Sequence, residues 1–468
     1  MQIQARSNPT CSEGIADFVC SFKLSDVPSD VIARAKLVFL DGLGCGLFGA
    51  KLRWTEIMAK VMTGLEPTGG TSAIWGSKQS ASATNAALVN GTMIQGYELD
   101  DANPATIHSC AAVLPAALAA AEFVGPDKVD GERLLRAVIA GFEIGPRIGL
   151  CMNGNRMLVK GWHSPGIFAP FPAAVAAGII LGLDKDQMKN ALGIAGPQAA
   201  GLMATQFGSM VKRMLSAKGA QSGLYAALLA AEGFTGVDEV FEQSYGGYCP
   251  TFTGTATEFD LSALTSELGT RWETMRISIK RHATVGTNLT ALDIIEEMMA
   301  EGLHASDVDH ITVQMTEDAM RHSYWTPYEP VSLTAAQMHL GFCIGMKLLE
   351  GEVFVDQMIE NNIARPDVLA LCERVEVLRD EEREKKGRPF ARGADVEVRL
   401  KNGDVLRKVS DHFLGSFQKP MSESQMIGKY ERLASKTLAP QAVTQLRDLI
   451  LNIESQADLT AVLRSLRG

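Results

Sequence analysis

The spacing of apolar positions predicts a succession of α-helices from residue 1 to about residue 260. Two clear segments, "VLPAALAAAEFVG" and "SGLYAALLAAEGFTG", reach a glycine after a long apolar run, which is a common helix-terminating signal. In the first segment, Pro115 predicts the beginning of the helix and Gly125 its end. Both segments are apolar on every face and rich in alanine, which predicts helices buried deep in a core.

The pattern changes near residue 265, where short runs alternate apolar and polar positions as β-strands do. These runs are "RISIKR", "HITVQM", "RVEVLRD" and "ADVEVRLKNGDVLRKVS", and Asn402-Gly403 in the last run predicts a hairpin turn. The charged run at 379–393 is interpreted as a solvated loop. After about residue 415 the pattern is helical again.

We therefore predict a mainly α protein of two domains. The larger is a discontinuous all-α helical domain formed by residues 1–265 and 415–468. The smaller is an α+β lid domain, residues 266–414, inserted before the C-terminal helices. The cleft between two such domains is the place where a ligand is expected.

Charge and composition restrict the partners and the compartment. A formal net charge of −10 argues against nucleic-acid binding, which needs a basic surface. The apolar stretch 166–183 is interrupted by Pro170 and Pro172 and is interpreted as a buried helix, not a membrane span. The eight cysteines show no CxxC pair and no zinc-like spacing, and the N-terminus lacks a signal-peptide pattern. We expect reduced, buried thiols in a cytoplasmic protein.

An acidic loop stands directly before the first buried helix, in the stretch "ELDDANPATIHSCAAVLPAALAAAE". It carries Glu98, Asp100 and Asp101, with His108 a few residues further on. A nearby carboxylate raises the pKa of a histidine, so this combination indicates a poised proton-transfer group. The alternative for Asp101 is stabilisation of the helix N-terminus.

A second histidine and two lysines stand in comparable contexts. His163 in "KGWHSPGIFAPF" also precedes a core helix, and a structural role is as consistent with that position as a functional one. Lys212 lies in an apolar stretch, and because an unpaired ammonium is costly to bury, we expect it to face a cleft and bind a carboxylate. The neighbouring Arg213 is expected at a helix surface. Lys280 ends an alternating run, with a surface position as the alternative.

Known metal and nucleotide motifs are not found in the sequence. It contains no HExxH, no cysteine cluster, no EF-hand loop and no Walker or GxGxxG motif before a helix. A GxSxG nucleophile motif is absent as well. We therefore predict no metal ligands.

Several ordered segments together resemble the MmgE/PrpD superfamily, which includes 2-methylcitrate dehydratases, cis-aconitate decarboxylases and an iminodisuccinate epimerase. The segments are "ELDD…HS…VLPAALAAAE", "GWH…APFPAAVAAGIILGL", "GSMVKR…AQSGLYAALLAAEGFTG", "SYGGY" and "IKRHA…G". The resemblance runs from about residue 14 to residue 455, and the pattern is that of the fungal cis-aconitate decarboxylase type.

The resemblance implies an all-α domain with an α+β lid, a homodimer, and a site without metal or cofactor between the domains. It implies that His108 and His163 handle protons and that Lys212 and Lys280 bind substrate carboxylates. It also places Glu98 in the same site. Asp100 and Asp101 adjoin it, and either could orient the histidines. We assign Asp100 to the catalytic group with the two histidines and expect Asp101 to contact the substrate.

The chain differs from the decarboxylase pattern at two places. Ala102-Asn103 stand where decarboxylases have Thr or Tyr-His, in a loop one residue shorter than in the fungal form. Phe342 stands where they have a tyrosine. A site that hydrogen-bonds its substrate discriminates sharply, so these differences indicate a substrate or reaction other than decarboxylation of cis-aconitate. Asn103 and Phe342 are accordingly expected to contact the substrate.

The residue types predict a metal-independent lyase that acts on a small di- or tricarboxylate by histidine acid–base chemistry. Dehydration, decarboxylation and epimerisation all need a proton-transfer group and cations beside a carboxylate, so residue types alone do not choose among them. An epimerase of a small polycarboxylate is the first alternative. The second is a non-catalytic binder or scaffold, favoured by the changes at Ala102 and Phe342 and disfavoured by retention of both histidines and both lysines.

Overall fold

The computed structural model describes residues 9–66, 68–326, 328–329, 332–387 and 391–468. The protein is 59% helical and 8% strand, which confirms the prediction of a mainly α fold. The helices before residue 266 are α1 (Cys11–Ser21), α2 (Ser29–Gly49), α3 (Arg53–Gly64), α4 (Ala83–Ile94), α5 (Ser109–Val124), α6 (Gly131–Cys151), α7 (Gly154–Val159), α8 (Ser164–Phe168), α9 (Pro170–Leu181), α10 (Lys185–Ala195), α11 (Leu215–Ala231), α12 (Tyr248–Thr253) and α13 (Ser262–Thr265).

Two short strands, β1 (Ser72–Ala73) and β2 (Ser80–Ala81), pair in antiparallel fashion within this helical part. The remaining elements are α14 (Leu289–Ala300), β3 (Val308–Met315), α15 (Glu317–Ser323), α16 (Leu333–Met338), α17 (Leu340–Glu350), α18 (Pro366–Cys372), β4 (Val375–Arg379), α19 (Glu381–Lys386), β5 (Ala394–Leu400), β6 (Val405–Ser410), α20 (Glu423–Ala434), α21 (Pro440–Leu451) and α22 (Thr460–Ser465).

The core of the helical part is built around α9, which packs against α5, α6 and α11. Every residue from Pro170 to Ile180 is buried. The stretch Ser164–Leu181 is long and apolar enough to span a membrane, yet 94% of it lies inside the protein. The prediction of a buried helical stretch is therefore confirmed.

Close approach of α11 to the α8–α9 region depends on two glycines one helical turn apart. A Cβ at Gly219 would lie 2.3 Å from the Ala169 Cβ, and one at Gly223 would lie 2.3 Å from the carbonyl oxygen of Pro170. The small residues thus let the two backbones touch, as the alanine- and glycine-rich sequence predicts.

The helix that follows the acidic loop begins earlier than predicted. It starts at Ser109, so Pro115 lies in its interior and the prediction of a start at Pro115 is wrong. Its first-turn amides are bound by the carboxylate of Asp101, which allows the helix to begin directly after His108. Gly125 ends the helix with φ +113°, as predicted.

A four-stranded sheet has the order β4-β3-β5-β6, with β3 parallel to β4 and antiparallel to β5. Three of the predicted alternating runs form these strands, and Gly403 at φ +94° lies in the turn of the β5–β6 hairpin. The fourth run, "RISIKR", is not a strand, because its backbone partners are loops: Ser278 pairs with Ala102, and the Ile279 amide donates to Gly415. The run 379–393, predicted as a loop, contains helix α19, and its residues 388–390 lie outside the described part.

The C-terminal helices return to the N-terminal part of the chain. Helix α20 packs against α2, and a Cβ at Gly44 would lie 3.1 Å from the Tyr430 Cα. The sheet therefore sits between two helical stretches in sequence, as the predicted inserted domain requires. The domain boundaries themselves stay a prediction.

The close packing of α11 gives the first testable prediction. We expect Gly223→Ala to lower the free energy of unfolding by about 1–3 kcal/mol, because its Cβ meets backbone atoms that cannot easily move. The matched control is Gly428→Ala in α20, where no atom lies within 4 Å of the added Cβ. That change should be neutral or stabilise by up to about 1 kcal/mol, because alanine favours a helix. Urea denaturation of both variants measures the difference, and equal effects would contradict it.

Candidate active site

A cavity of about 840 Å³ collects most of the predicted site residues. Its lining comes from the loops before α5 and α8, from the segment before α11, and from the sheet-containing part of the chain. The predicted residues that line it are Glu98, Asn103, His108, His163, Lys212 and Lys280. The other predicted residues, Asp100, Asp101 and Phe342, do not line it.

The acidic loop is tied to the Lys280 segment by its backbone. Glu98 has φ +57°, an uncommon conformation for a residue with a side chain, and it ends the short helical turn Gln95–Tyr97. The amide of Ala102 donates to the Ser278 carbonyl at 2.8 Å, and the Ser278 amide donates to the Ala102 carbonyl at 2.7 Å. This pair of hydrogen bonds holds the loop beside Lys280.

Glu98 is the anion at the centre of a buried cation cluster. Its carboxylate forms ion pairs with the ammonium of Lys212, the guanidinium of Arg213 at 2.7 Å and the ammonium of Lys280 at 3.3 Å. Burial alone would raise the pKa of Glu98, but the charges of Lys212, Lys280 and Arg213 together hold it well below its ordinary value. The carboxylate therefore stays ionised and fixes both lysines at the cavity wall.

Arg213 corrects one expectation from the sequence. It was predicted at a helix surface, but its side chain is fully buried. Besides Glu98, the guanidinium donates to the side chains of Gln337 at 2.7 Å and Thr334 at 3.1 Å, which compensates its desolvation. The sequence signal for this position, a Lys-Arg pair inside an apolar stretch, was the same one that singled out Lys212.

The imidazole of His108 is oriented by a backbone acceptor and by a nearby carboxylate, whose oxygens have no geometrically aligned hydrogen bond among the described residues. Its Nδ1 lies 2.7 Å from the Asp101 carbonyl oxygen and 3.0 Å from the Asp100 carboxylate. Both partners only accept hydrogen bonds, so Nδ1 carries the hydrogen and, in the neutral ring, Nε2 carries the lone pair. Burial would raise the pKa of Asp100, but His108 and Lys280 lower it below its ordinary value. Asp100 is thus an ionised group that positions His108 and does not itself face the cavity.

His163 has the opposite arrangement. Its Nδ1 accepts a hydrogen bond from the Gly166 amide at 3.2 Å, so the hydrogen of the neutral ring lies on Nε2. Burial, followed by the charges of Lys212 and His108, lowers the pKa of His163 well below its ordinary value. The cavity therefore contains one imidazole held as a proton acceptor and one held as a hydrogen-bond donor.

Asn103 offers a further donor. Its Oδ1 accepts from the Ala105 amide at 2.8 Å, whereas its buried Nδ2 has no hydrogen-bond partner among the described residues. An unpaired buried donor is energetically costly unless a ligand atom accepts a hydrogen bond from it. The amide group is therefore well suited to bind a substrate oxygen.

Two predicted substrate contacts need correction. Both carboxylate oxygens of Asp101 accept amides of the first turn of α5, from Ser109 at 2.7 Å and Cys110 at 2.9 Å. Asp101 therefore caps the helix, the role left open as its alternative, and burial together with Asp100 raises its pKa to about 6. Phe342 is buried in α17 with its ring 5.8 Å from that of Tyr328, so core packing explains its position.

The described residues contain no group of three or more His, Cys, Asp or Glu side chains arranged to hold a metal ion. The cavity instead offers cations, hydrogen-bond donors and two histidines. Such a set can bind carboxylates, move a proton at a neighbouring carbon and stabilise the negative charge that develops there.

Two family models cover nearly the whole chain. The MmgE/PrpD N-terminal domain matches residues 13–260, and the MmgE/PrpD C-terminal domain matches residues 282–455. The chain belongs to the MmgE/PrpD family. The resemblance seen in the sequence is thereby confirmed.

The curated relatives of this family member are named as lyases. A cis-aconitate decarboxylase-like protein of Aspergillus oryzae is 34% identical, covering 97% of this chain and 96% of the relative. The cis-aconitate decarboxylase of Aspergillus terreus is 33% identical over 97% and 95% of the two chains. A mitochondrial 2-methylcitrate dehydratase of Yarrowia lipolytica is 24% identical over 86% and 79%. These names support the prediction that the chain is an enzyme of the lyase class.

The cation cluster gives a prediction about stability. We expect Glu98→Gln to lower the free energy of unfolding by about 3–5 kcal/mol at neutral pH, because it leaves buried cations without their anion. Since the folded-state pKa of Glu98 lies below the ordinary 4.5, its stabilisation is complete above that pH and is lost on acidification. The difference between wild type and variant should therefore shrink below pH 4.5.

The control for this measurement is Glu454→Gln, which removes a partly exposed ion pair with Lys36. Exposed pairs contribute about 0–1 kcal/mol, so this variant should unfold almost as wild type does. Chemical denaturation across a pH series compares the two variants. A Glu98 effect no larger than that of Glu454 would contradict the central role of Glu98.

Proposed function

We propose that this protein is a metal-independent lyase that acts on a small di- or tricarboxylate by histidine acid–base chemistry. The observation that carries the proposal is the meeting of His108 and His163, with opposite hydrogen-bonding polarity, beside Lys212 and Lys280 in one cavity. The decarboxylase and dehydratase names of the relatives support the reaction class.

The lysines bind and polarise a substrate carboxylate. Lys212 and Lys280 are buried and reach the cavity from separate parts of the chain. Their charges stabilise the enolate-like state that forms when a carbon beside a carboxylate gains or loses a proton. The free amide of Asn103 donates to a further substrate oxygen, at the position where this chain differs from decarboxylases.

His108 moves the proton. In dehydration its Nε2 takes the proton of a C–H bond, the electron pair forms the carbon–carbon double bond, the carbon–oxygen bond breaks, and the departing hydroxide takes the same proton back from the His108 imidazolium and leaves as water. In decarboxylation the carbon–carbon bond to the carboxylate breaks, carbon dioxide leaves, and the imidazolium of His108 protonates the carbon. Asp100 stabilises the imidazolium in either direction. His163 donates its Nε2–H to the departing oxygen or to a carboxylate.

An epimerase of a small polycarboxylate is the second candidate. Epimerisation needs proton removal on one face of a carbon and proton return on the other, and two imidazoles in one cavity meet that need. A non-catalytic binder is less well supported, because both lysines are buried at the cavity wall together with the histidines, and neither is turned to bulk solvent.

The deciding experiment is an NMR assay in heavy water with citrate, methylcitrate, aconitate and iminodisuccinate analogues. We expect net loss of water or carbon dioxide from one of them. Exchange of hydrogen without net conversion would identify an epimerase instead. Absence of both turnover and exchange with every substrate would contradict an enzyme acting on small polycarboxylates.

Variants of the histidines test their roles on the substrate so identified. We expect His108→Gln to lower kcat/KM by about 10²- to 10⁴-fold, because the proton-transfer group is lost. His310→Gln is the matched control, since that histidine lies on β3, where its partner is Glu376, and does not line the cavity. Wild-type turnover by His108→Gln would rule out the assigned role.

We also propose that the protein forms a homodimer. The segment before α11 exposes Leu202, Phe207, Met210 and Val211 within ten residues, directly before the buried Lys212. Clustered exposed apolar side chains mark interaction surfaces in soluble proteins. Burial of this segment against a second copy of the chain would also stabilise the backbone of Lys212.

The proposed contact is testable by light scattering after size exclusion. We expect wild type to have the mass of a dimer and Phe207→Glu to shift toward the monomer, because a charge would be buried at the contact. Val61→Glu, at an exposed position of α3, serves as the control and should leave the mass unchanged. A monomeric wild type would overturn the proposal.

The cysteines support a cytoplasmic location, which we propose as well. All eight are free, and six of them are buried. Burial raises the pKa of buried thiols such as Cys45 and Cys110, so they stay protonated and unreactive. Such thiols are typical of a reducing compartment.

A further inference from the structure

The sheet-containing part of the chain contributes its own arginine to the cavity. Three arginines line it, and two of them have partners: Arg156 pairs with Glu258, and Arg276 pairs with Glu273 at 3.5 Å. Arg392, just before β5, has no hydrogen-bond or ion-pair partner for its guanidinium within the described ranges. It is the lining arginine that remains available for a ligand.

The backbone and the guanidinium of Arg392 are both held in place. The Thr290 hydroxyl, at the start of α14, donates to the Arg392 carbonyl at 2.5 Å. The guanidinium packs over Gly286, where an added Cβ would lie 3.4 Å from Nη1. Burial lowers the pKa of Arg392. An arginine nevertheless keeps its charge, so a half-buried cation faces the cavity.

The charge balance of the other wall explains why such a cation is needed. There Lys212, Arg213 and Lys280 supply three positive charges, and Glu98, Asp100 and the adjoining Asp101 supply three negative ones at neutral pH. No net positive charge remains. A di- or tricarboxylate brings two or three negative charges into a desolvated cavity, and unpaired buried charges are strongly unfavourable.

The position of His322 relates the two walls. This residue of α15 lines the cavity, and its Nδ1 lies 3.3 Å from the Asp318 carbonyl oxygen. Because His322, Lys212 and Arg392 all line this cavity, the two cations lie around one shared space. Burial lowers the pKa of His322, and the charges of Lys212 and Arg392 act in the same direction, against the effect of Asp318.

We propose that Arg392 binds a second substrate carboxylate, remote from the one held by Lys212 and Lys280, and so selects substrates with at least two separated carboxylates. This inference rests on the proposed function, which it deepens. A guanidinium binds a carboxylate through two parallel hydrogen bonds, a geometry that lysine cannot reproduce. Arg392 is thus a specificity-determining residue supplied from outside the helical part.

Binding measurements test the inference without turnover. Isothermal titration with tricarballylate and with butyrate, which has a single carboxylate, compares wild type, Arg392→Gln and Arg392→Lys. We expect wild type to bind tricarballylate more tightly than butyrate. Arg392→Gln should weaken tricarballylate binding by roughly 10- to 100-fold and leave butyrate binding nearly unchanged. The tricarballylate affinity of Arg392→Lys should fall between those of wild type and Arg392→Gln. If the glutamine variant does not fold, the comparison of Arg392→Lys with wild type decides the question.

The control is Arg399→Gln, which removes an arginine of β5 that pairs with Asp309 away from the cavity and should bind both probes as wild type does. Equal tricarballylate affinity in wild type and Arg392→Gln would overturn the inference, as would failure of wild type to bind tricarballylate. If the NMR assay detects no turnover but the titrations show the expected binding differences, only the proposed reaction is contradicted.

Discussion

The ion pairs of Glu98 with Lys212, Arg213 and Lys280 join three segments that are far apart in the chain. Removing this many charges from water is costly, and the cost is recovered only when the pairs have good geometry and the remaining donors are bound. Glu98 reaches its partners from a backbone at φ +57°, and Arg213 has Thr334 and Gln337 as further partners, with its Nε unpaired among the described residues. The lysines are therefore held at the wall of the cavity.

The rest of the fold keeps that cluster rigid. Helix α5 is anchored in the core and is capped by Asp101, whose carbonyl group also fixes the ring of His108. Beneath the acidic loop, Lys429 of α20 donates to the Leu99 carbonyl at 2.7 Å and pairs with Asp41 of α2 at 2.8 Å. The loop that carries Glu98 and leads to His108 thus rests on helices from both ends of the chain. Positioning of this kind is what proton transfer at a carbon requires.

The sequence alone predicted much of this arrangement, because charged residues inside apolar segments are rare and informative. Glu98, His108, His163, Lys212 and Lys280 all stood out on that ground. The sequence did not distinguish roles that depend on tertiary contacts. Asp101 has the same charge as Asp100, and only its hydrogen bonds to the amides of α5 show that it caps the helix. Arg213 has the same charge as Lys212, and only contacts such as that with Gln337 show that it is buried and not at the surface.

The same limit explains the errors in secondary structure and the missed arginine. "RISIKR" alternates as a strand does, but a strand also needs a neighbouring strand, and here loops provide the backbone partners. Arg392 lies within the charged run 379–393, whose composition indicates solvent exposure. The cavity that it lines is completed by residues hundreds of positions earlier in the chain.

The electrostatics of the cavity also bear on the roles proposed for the two histidines. Burial, with the charges of Lys212 and His108, keeps His163 neutral, which makes it a hydrogen-bond donor and a poor acid. Under the proposed function, a bound polycarboxylate would add negative charge near the same ring and oppose the effect of those cations, so that binding would raise the pKa of His163. Compensation of a remote carboxylate by Arg392, as proposed, would limit how much of that negative charge the histidine experiences. The proposal thus couples the two walls of the cavity through the charge of the substrate, and it makes the acid strength of His163 depend on how many carboxylates the substrate carries.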